Sequence, residues 1–314
     1  MSAWQFTGTN EPLVKADPEI PRPQAGEVVV DVKAAGLCHT DCGVMVDEGW
    51  LPLLAKTPIT MGHEVAGVIS ELGEGVTGWS VGDRVGLCPT TAVGAPGFGF
   101  DGGFGDKVVL GAEALVAIPD NVTMAEGAAG TDAGMTSHSA VVTAGQVKAG
   151  DKVGIIGVGG LGMIGLKVAV LAGAEVYVAE LNEDVWPTAK EFGATACAKS
   201  ISEFKEIGLD TIVDFAGFNT TNEAITTVRR FGRVVQVGMG NLQADISVRD
   251  LITNAVTLVG SNGGTPDDVK GVYDFIASGQ LKPVIKEITF DEIPQGLEDL
   301  HDGKVVGRLV AVRD

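Results

Sequence analysis

Positive charge, cysteine and histidine are all scarce in this sequence. Its 22 lysines and arginines face 41 acidic residues, and the formal net charge of −19 argues against nucleic acid or an anionic membrane as a partner. Four cysteines do not make a disulfide framework, and they favour a reducing cytoplasm. The first twenty residues contain no basic region followed by an apolar run, so the sequence predicts no signal peptide.

Long apolar runs are also rare. Residues 153–174 come nearest to a membrane span, with Lys167 as the single charge, but glycines interrupt them and they begin as a strand. Glycine itself is abundant, with 45 residues and no G-X-Y period, which excludes collagen and indicates many tight turns. The hydrophobic fraction of 45% is typical of a globular chain, and 314 residues suffice for two domains.

The first third of the chain has the pattern of short strands between Gly and Pro turns. The predicted strands cover residues 27–32, 65–72, 82–85 and 106–110. Strands this short and this closely spaced favour a partly closed β-barrel.

From about residue 124 onwards, predicted strands alternate with predicted helices. The strands cover 152–158, 176–179, 211–214, 233–237 and 255–259. The helices cover 161–172, 183–192 and 221–231. This alternation predicts an α/β domain with a doubly wound sheet of five or six parallel strands.

The last fifty residues predict one helix, 267–278, and then short strands that end with 309–312. We therefore expect a barrel-like domain formed by residues 1–132 and 263–314. A dinucleotide-binding α/β domain at residues 133–262 is inserted into it.

A glycine-rich turn follows the first strand of the predicted parallel sheet. It consists of Gly157, Val158, Gly159, Gly160, Leu161 and Gly162. G-x-G-x-x-G alone is a weak signal in a glycine-rich chain, but here a strand runs into it and a helix begins within it. The glycines allow a tight turn, close approach of a pyrophosphate and close packing of helix on strand, while the helix N-terminus attracts phosphate.

Glu180 ends the next predicted strand, eighteen residues after Gly162. Its carboxylate can accept hydrogen bonds from both ribose hydroxyls of NAD and would repel the 2′-phosphate of NADP. Residues 181–185 offer no Lys or Arg for that phosphate, so the sequence favours NAD. A solvated strand end is the alternative for Glu180.

Cys38, His63 and Asp132 stand out among the few residues that can bind a metal. As a thiolate, a neutral imidazole and a carboxylate, they would give zinc three ligands and leave a fourth position open. An open position suits catalysis, because zinc there acidifies water or an alcohol and polarises a carbonyl. The spacing also allows three unrelated residues: a buried cysteine, a core histidine and a capping aspartate.

Four motifs give the chain a resemblance to a known family. They are AGLCHTD at 35–41, GHEVAG at 62–67, GDRV at 82–85 and the turn at 157–162. In this order and spacing they resemble the zinc-dependent alcohol dehydrogenases of the medium-chain dehydrogenase/reductase superfamily, over nearly the whole chain. The resemblance implies a GroES-like β-barrel catalytic domain, a Rossmann domain, and interconversion of alcohols and carbonyl compounds.

The resemblance implies that Cys38, His63 and Asp132 bind one catalytic zinc. It implies that Glu64 is a nearby carboxylate that joins the metal transiently during exchange of water or substrate. Asp41 matches an acidic residue that orients the ligating His63.

Further roles follow from the same resemblance. Thr40 matches the hydroxyl that passes the alcohol proton towards the cofactor ribose, and a hydroxyl suits this because it donates and accepts at once. His39 matches a residue that contacts the pyrophosphate and extends the relay, and Arg308 matches an arginine that pairs with the pyrophosphate. The positions that match the surroundings of the nicotinamide are Thr136, Val237, Gly260 and Asn262.

Many members of the family carry a lobe with four closely spaced cysteines for a structural zinc. Residues 87–103 contain Cys88 alone and no C-x-x-C, so we expect one catalytic zinc and no structural zinc. Loss of the lobe is expected to open one wall of the active-site cleft. It also puts the usual subunit arrangement in doubt, although a homodimer or homotetramer is still expected.

These features favour a zinc-dependent alcohol dehydrogenase that transfers a hydride between a small alcohol or carbonyl compound and NAD(H). Trp50 and Leu53 are candidates for an apolar substrate pocket, with core packing as the alternative for Trp50. A zinc-free quinone or enoyl reductase of the same superfamily would not need the three ligands together. A non-catalytic dinucleotide-binding protein would not need Thr40, Asp41 and Glu64 around them.

Overall fold

The computed structural model describes residues 2–19 and 22–313. The chain divides into two compact units. Unit 1 consists of Met1–Met135 and Thr265–Asp314, and unit 2 is Thr136–Gly264. The boundaries expected from the sequence, at 132/133 and 262/263, lie three and two residues before these.

Sixteen strands occur among the described residues. They are β1 (Ala3–Phe6), β2 (Val14–Ala16), β3 (Glu27–Leu37), β4 (Ile59–Thr60), β5 (Glu64–Leu72), β6 (Arg84–Leu87), β7 (Lys107–Gly111), β8 (Leu115–Ala117), β9 (Lys152–Ile156), β10 (Glu175–Ala179), β11 (Ala196–Ala198), β12 (Thr211–Asp214), β13 (Arg233–Gln236), β14 (Thr257–Gly260), β15 (Ile285–Thr289) and β16 (Arg308–Val312).

The helices of the same described residues are mostly short. The α-helices are α1 (His39–Val46), α2 (Met124–Ala129), α3 (Met135–His138), α4 (Gly160–Leu171), α5 (Trp186–Phe192), α6 (Thr221–Thr227), α7 (Val248–Thr253), α8 (Pro266–Ala277) and α9 (Ile293–His301). The 3₁₀-helices cover Glu48–Leu53, Ala112–Ala114, Glu183–Val185, Ile201–Ile207 and Phe290–Glu292, and the π-helical turns cover Gly130–Gly134 and Ser139–Ala144.

Unit 1 is built around the long strand β3. One edge of β3 pairs with β5, while its other edge pairs first with β7 and then with β16. Two register shifts against β5, at Val29/Val30 and at Val32/Ala34, bend the strand. The seven-stranded sheet therefore curls around an apolar core, as the predicted partly closed barrel requires. A second sheet has the order β2-β1-β4.

Unit 2 contains one sheet of six parallel strands in the order β11-β10-β9-β12-β13-β14. Its central strands β9 and β12 are short apolar runs and are almost wholly buried, because helices cover both faces of such a sheet. The chain order reverses between β9 and β12, and ligands bind at the carboxyl ends of the strands at such a point. The predicted doubly wound sheet is confirmed.

The sequence pattern predicts none of the helices α1, α2, α3, α7 and α9, and it extends α6 too far. The end of the chain holds α9 as well as α8, with Ile293, Leu297 and Leu300 buried along one face, and unit 2 holds the unpredicted α7. Helix α6 ends at Thr227 instead of residue 231, because the next residue, Val228, leaves the helical conformation with ψ 145°.

Within the described residues, no helix combines the length and the apolar character needed to cross a membrane. The apolar stretch 153–174 is divided between strand β9 and the twelve-residue helix α4.

Candidate metal centre and cofactor site

Cys38 lies where strand β3 gives way to helix α1. It has extended backbone (φ −119°, ψ 151°) and is the N-cap residue of the helix. Its N–H donates to Oδ2 of Asp41, 3.0 Å away, so the carboxylate satisfies a backbone donor that the first turn leaves free. The sequence order Cys-His-Thr-Asp thus builds one rigid turn.

His63 lies between β4 and β5, with its side chain buried. Its Nδ1 is 3.2 Å from Oδ1 of Asp41, and its Nε2 is 3.4 Å from Oδ2 of Asp132. An ionised carboxylate only accepts hydrogen bonds, so Asp41 holds the proton on Nδ1 and leaves Nε2 able to bind a metal.

Asp132 lies on the π-helical turn Gly130–Gly134. Ligand atoms of Cys38, His63, Glu64 and Asp132 all lie within 4.8 Å of one another. Across residues 2–19 and 22–313, this is the one group of His, Cys, Asp and Glu that could hold a metal ion. A thiolate, an imidazole and carboxylates at this separation suit zinc.

The charges around the group favour the thiolate form of Cys38, but they also favour the protonated form of His63. Burial raises the pKa of the Cys38 thiol, but Arg308 and His63 lower it more, so the thiolate forms more readily than in an ordinary cysteine. Burial lowers the pKa of His63, but Asp41 and Asp132 raise it more, and it ends well above its ordinary value. A metal that binds Nε2 therefore replaces the second proton of the ring, while Asp41 keeps the first on Nδ1.

Glu64 forms an ion pair with Arg308, the first residue of β16. Both side chains are buried, and the guanidinium donates through Nε to Oε2 at 2.8 Å and through Nη2 to Oε1. Nη2 also lies 3.7 Å from Oδ2 of Asp132. The structure thus places Arg308 beside the candidate metal ligands of unit 1, and its expected contact with a pyrophosphate stays a prediction.

Thr40 and His39 occupy the first turn of α1. The Cys38 thiol lies 3.5 Å from the Thr40 hydroxyl, which brings the predicted proton carrier to the ligand group. His39 lies at the surface. Burial of part of its ring and the charge of Arg308 lower the pKa of His39, so it is neutral at a lower pH than an ordinary histidine.

Trp50 and Leu53 lie on the same 3₁₀-helix but in different surroundings. Trp50 is 9% exposed and belongs to the core of unit 1, where its indole packs on Gly43. Leu53 is 51% exposed. The arrangement favours the packing alternative for Trp50, and its place in a substrate pocket stays a prediction.

Cys42 and Cys88 lie outside the group that could hold a metal. The Cys42 thiol donates to the carbonyl of Leu297, and burial raises its pKa to about 12. Cys88 is buried beside Met135, with their sulfur atoms 3.4 Å apart. Neither thiol is set up as a ligand.

Residues 87–103, for which the sequence predicts no cysteine-rich lobe, place an aromatic side chain beside the candidate metal site. Phe98 is buried, and its ring centroid lies 5.2 Å from that of His63 with the planes at 64°. The ring of Phe98 therefore covers His63 on this side, and the opening of a cleft wall by loss of the lobe stays a prediction. No motif in the sequence singles out Phe98, although dense glycines at 94–105 are typical of close backbone contact.

The glycine-rich turn of unit 2 connects β9 to α4. Gly157 has φ +78°, which a side chain would make strained. A Cβ on Gly162 would overlap the carbonyl oxygen of Gly157, whereas a Cβ on Gly159 would meet nothing within 4 Å. Gly162 thus serves the packing of helix on strand, and the space at Gly159 is open for a ligand.

Glu180 follows β10, and its carboxylate is hydrogen-bonded to the glycine-rich turn. Its carboxylate accepts hydrogen bonds from the N–H groups of Val158 (3.0 Å) and Asn182 (2.8 Å). These hydrogen bonds fix the carboxylate next to the glycine-rich turn. A solvated side chain at a strand end would not be held in this way.

The other predicted cofactor residues in unit 2 lie on several elements. Val237 follows β13, where its N–H donates to the carbonyl of Asp214. Gly260 ends β14, and Asn262 follows it at the surface. Thr136 is buried on α3. Three of these positions thus lie beyond or at the carboxyl ends of parallel strands, as Glu180 does.

Two family models match the sequence. The model described as an alcohol dehydrogenase GroES-like domain matches residues 24–120, and the one described as a zinc-binding dehydrogenase matches residues 160–278. An alcohol dehydrogenase from Geobacillus stearothermophilus is 32% identical over 323 residues, which cover 93% of either chain.

Solved structures agree with these matches. The alcohol dehydrogenase of the archaeon Aeropyrum pernix has a TM-score of 0.91 at 28% identity and covers both chains completely. The acetophenone reductase of Geotrichum candidum, solved with NAD, has a TM-score of 0.90 at 26% identity and covers 99% of this chain and 97% of its own. The chain is therefore an oxidoreductase, and it belongs to the zinc-dependent alcohol dehydrogenase family of the medium-chain dehydrogenase/reductase superfamily.

Proposed function

We propose that this alcohol dehydrogenase works with a single zinc ion per chain, held by Cys38, His63 and Asp132. The observation that carries the proposal is the set of ligand atoms within 4.8 Å of one another. When bound, zinc supplies Lewis-acid chemistry that acidifies an alcohol or polarises a carbonyl group. Three protein ligands leave the fourth position for substrate.

Asp41 and Thr40 prepare the site for proton transfer. Asp41 keeps the His63 proton on Nδ1 and ties His63 to the turn that carries Cys38. The Thr40 hydroxyl, 3.5 Å from the Cys38 sulfur, can accept the proton of a substrate alcohol while it donates its own onward. His39, at the surface and with a lowered pKa, is suited to take that proton towards solvent.

Arg308 neutralises the charge of Glu64 beside the ligands. With both oxygens of Glu64 on the guanidinium, Asp132 is the carboxylate left to complete the ligand set. Transient ligation by Glu64, as the family resemblance implies, requires this ion pair to open. Arg308 therefore favours a coordination of three protein ligands.

Cofactor binding is assigned to unit 2 and substrate chemistry to unit 1. The open space at Gly159 and the N-terminus of α4 suit a pyrophosphate, because the first turn of this twelve-residue helix has free amides and carries a partial positive charge. Glu180 is held beside this turn by two backbone N–H groups, ready to accept from ribose hydroxyls. These features support NAD over NADP.

Strand β14 supports the expectation of a homodimer or homotetramer. In the described part of the chain it is an edge strand paired with β13 alone, and Leu258 on it is 37% exposed. The preceding helix α7 buries none of its residues, and Ile252 is 69% exposed. An uncovered apolar edge invites pairing with the same edge of a second copy. Light scattering after gel filtration measures the assembly.

A reducing cytoplasm is the proposed compartment. Cys38, Cys42, Cys88 and Cys197 are all free thiols. Free thiols persist where glutathione and thioredoxin keep them reduced.

Metal content and NADH formation test the zinc proposal together. Protein purified without added metal is expected to hold about one zinc per chain by mass spectrometry. It is expected to reduce NAD with simple alcohols. Asp132→Ala should lose both the zinc and the activity, whereas Asp120→Ala, which removes an exposed carboxylate of the same unit, should keep both.

Other outcomes separate the alternatives. Activity without zinc would overturn the proposal in favour of a zinc-free quinone or enoyl reductase. Nucleotide binding without turnover of any alcohol or carbonyl compound would favour a non-catalytic dinucleotide-binding protein. Two zinc ions per chain would contradict the prediction that the structural zinc is missing.

A further inference from the structure

The segment Ala95–Phe104 stands where other members of the family are expected to carry the cysteine-rich lobe. We infer that this segment has a function of its own: it fixes the ring of His63 through Phe98 and thereby sets the metal affinity of the site. The inference makes Phe98 a positioning residue for His63, and it rests on the proposed zinc site.

The backbone of the segment is fastened to the residues just before His63. Gly103 N–H donates to the carbonyl of Gly62, Phe104 N–H to Met61, and Gly102 N–H to Thr60, at 2.7, 2.8 and 2.7 Å. Three hydrogen bonds in a row make the approach to His63 a ladder that cannot shift by one residue without losing them.

Glycine is required for this close approach. Gly97 has φ +80°, and a Cβ added to it would lie 2.7 Å from the backbone nitrogen of Gly62. A Cβ on Gly102 would overlap the carbonyl oxygen of Gly62. Gly97 and Gly102 thus both contact the backbone of Gly62, which fixes the segment that carries Phe98 against the residue just before His63.

Both backbone polar groups of Phe98 make hydrogen bonds. Its N–H donates to the carbonyl of Ala95 at 3.1 Å, and its carbonyl accepts from the N–H of Ala55 at 2.8 Å. Its side chain is 6% exposed, so its ring has packed neighbours and not solvent around it. The ring lies in an edge-to-face arrangement with His63, at a centroid distance of 5.2 Å.

The contact supplies a constraint on the imidazole that hydrogen bonding does not. Asp41 and Asp132 each lie beside one ring nitrogen, but contacts made at the ring edge do little to oppose a tilt of the ring plane. Phe98 packs on the ring itself and blocks this movement. Nε2 is then held towards Asp132 before any metal arrives, and a preorganised ligand set binds a metal more tightly because less freedom is lost.

Metal binding by Phe98→Ala and Phe98→Leu tests the inference. The dissociation constants for Zn²⁺ and Co²⁺ are measured by competition with a chelating dye, and the visible spectrum of bound Co²⁺ reports the geometry of the ligands. Phe98→Ala is expected to raise the dissociation constants of both metals on the order of tenfold and to change the Co²⁺ spectrum. Phe98→Leu retains apolar volume without the ring. Its affinities for both metals are expected to lie between those of the wild type and of Phe98→Ala.

Phe100→Leu is the matched control, because Phe100 belongs to the same segment and packs against the same core. Thermal unfolding of the metal-free proteins records any general loss of stability. A control with lowered stability but wild-type metal affinity separates the positioning of His63 from a structural role. Should Phe98→Ala fail to fold, Phe98→Leu still gives the comparison.

The inference is overturned if the Phe98 variants lose stability while both metal affinities and the Co²⁺ spectrum stay at the wild-type values. Its failure is distinct from that of the proposed function. Wild-type protein that binds zinc but oxidises no alcohol contradicts the proposed activity, yet leaves the effect of Phe98 measurable. Wild-type protein that binds neither metal overturns the zinc site and the inference together.

Discussion

Oδ1 of Asp41 lies 3.2 Å from Nδ1 of His63, while Oδ2 of the same carboxylate accepts the N–H of Cys38. One buried side chain thus connects the two loops that supply the first and second candidate zinc ligands. The loops are 25 positions apart in sequence, from Cys38 to His63, and Asp41 sets their distance. The ligand geometry therefore depends on a residue that does not bind the metal.

Asp41→Asn is expected to weaken zinc binding on the order of 10- to 100-fold. Asparagine keeps the size of the side chain, but its neutral oxygen accepts less strongly, and its NH₂ group can face Nδ1 and favour the wrong tautomer of His63. Competition with a chelating dye measures the change. Asp47→Asn, at an exposed 3₁₀-helix cap in the same unit, should bind zinc as the wild type does. Equal affinity in Asp41→Asn and wild type would contradict this role of Asp41.

The metal-free protein is expected to lose stability as the pH rises through the folded-state pKa of His63. Burial lowers that pKa, but Asp41 and Asp132 raise it more, so the protonated ring is held more firmly in the folded chain than in the unfolded one. This contribution is complete below the unfolded value of about 6.5 and disappears above the folded value. Urea unfolding of chelator-treated protein from slightly acid to alkaline pH measures it. His63→Gln should remove this part of the pH dependence, and an unchanged profile would argue against it.

Arg308→Met is expected to destabilise the protein by about 3–5 kcal/mol, because it leaves the carboxylate of Glu64 buried without a partner. Glu64→Gln combined with Arg308→Met should cost less than the sum of the two single changes. Denaturant unfolding of the four proteins gives the coupling. Lys15→Met serves as the control, since its pair with Asp291 is exposed and should contribute about 0–1 kcal/mol. Strict additivity of the buried pair would show that the two residues do not depend on each other.

Gly159→Ala is expected to impair NAD binding, whereas Gly162→Ala is expected to lower the stability of the fold. A methyl group on Gly159 meets open space, so stability should change by less than about 0.5 kcal/mol, while NAD binding weakens because the methyl group occupies the approach of the pyrophosphate. A methyl group on Gly162 overlaps the carbonyl of Gly157 and should cost about 1–3 kcal/mol of stability. Thermal unfolding and NAD titration by fluorescence distinguish them. A Gly159→Ala protein with wild-type affinity for NAD would exclude this turn as the pyrophosphate site.

Glu180→Gln is expected to lower kcat/KM for NAD on the order of tenfold and to raise it for NADP. A hydrogen bond to a charged group contributes about 1.5–3 kcal/mol, and loss of the charge also removes the repulsion of a 2′-phosphate. Steady-state kinetics with both cofactors gives the ratio. Glu191→Gln, an exposed acidic residue on α5, should leave the ratio unchanged. A constant ratio in Glu180→Gln would assign cofactor choice to other residues.

Local sequence was sufficient for most of unit 2. Short apolar runs between glycines give buried parallel strands, and β12 has the bounds that the pattern predicts. Such strands are readable because burial on both faces leaves no polar alternation. Helix α7 escaped prediction because its six residues are too few to establish a helical period, although Val248, Leu251 and Ile252 have that spacing.

Residue types and motif order are enough to name the side chains that can bind a metal and a dinucleotide, because donor chemistry belongs to the side chain itself. The partners that these side chains meet depend on the tertiary structure. The 244 positions between Glu64 and Arg308 are bridged by the pairing of β16 with β3 and of β3 with β5. Phe98 reaches His63 through a turn that only close backbone contact defines. Neither contact follows a sequence period, because the first arises from the register of strands that are distant in the chain and the second from a turn packed on a distant loop.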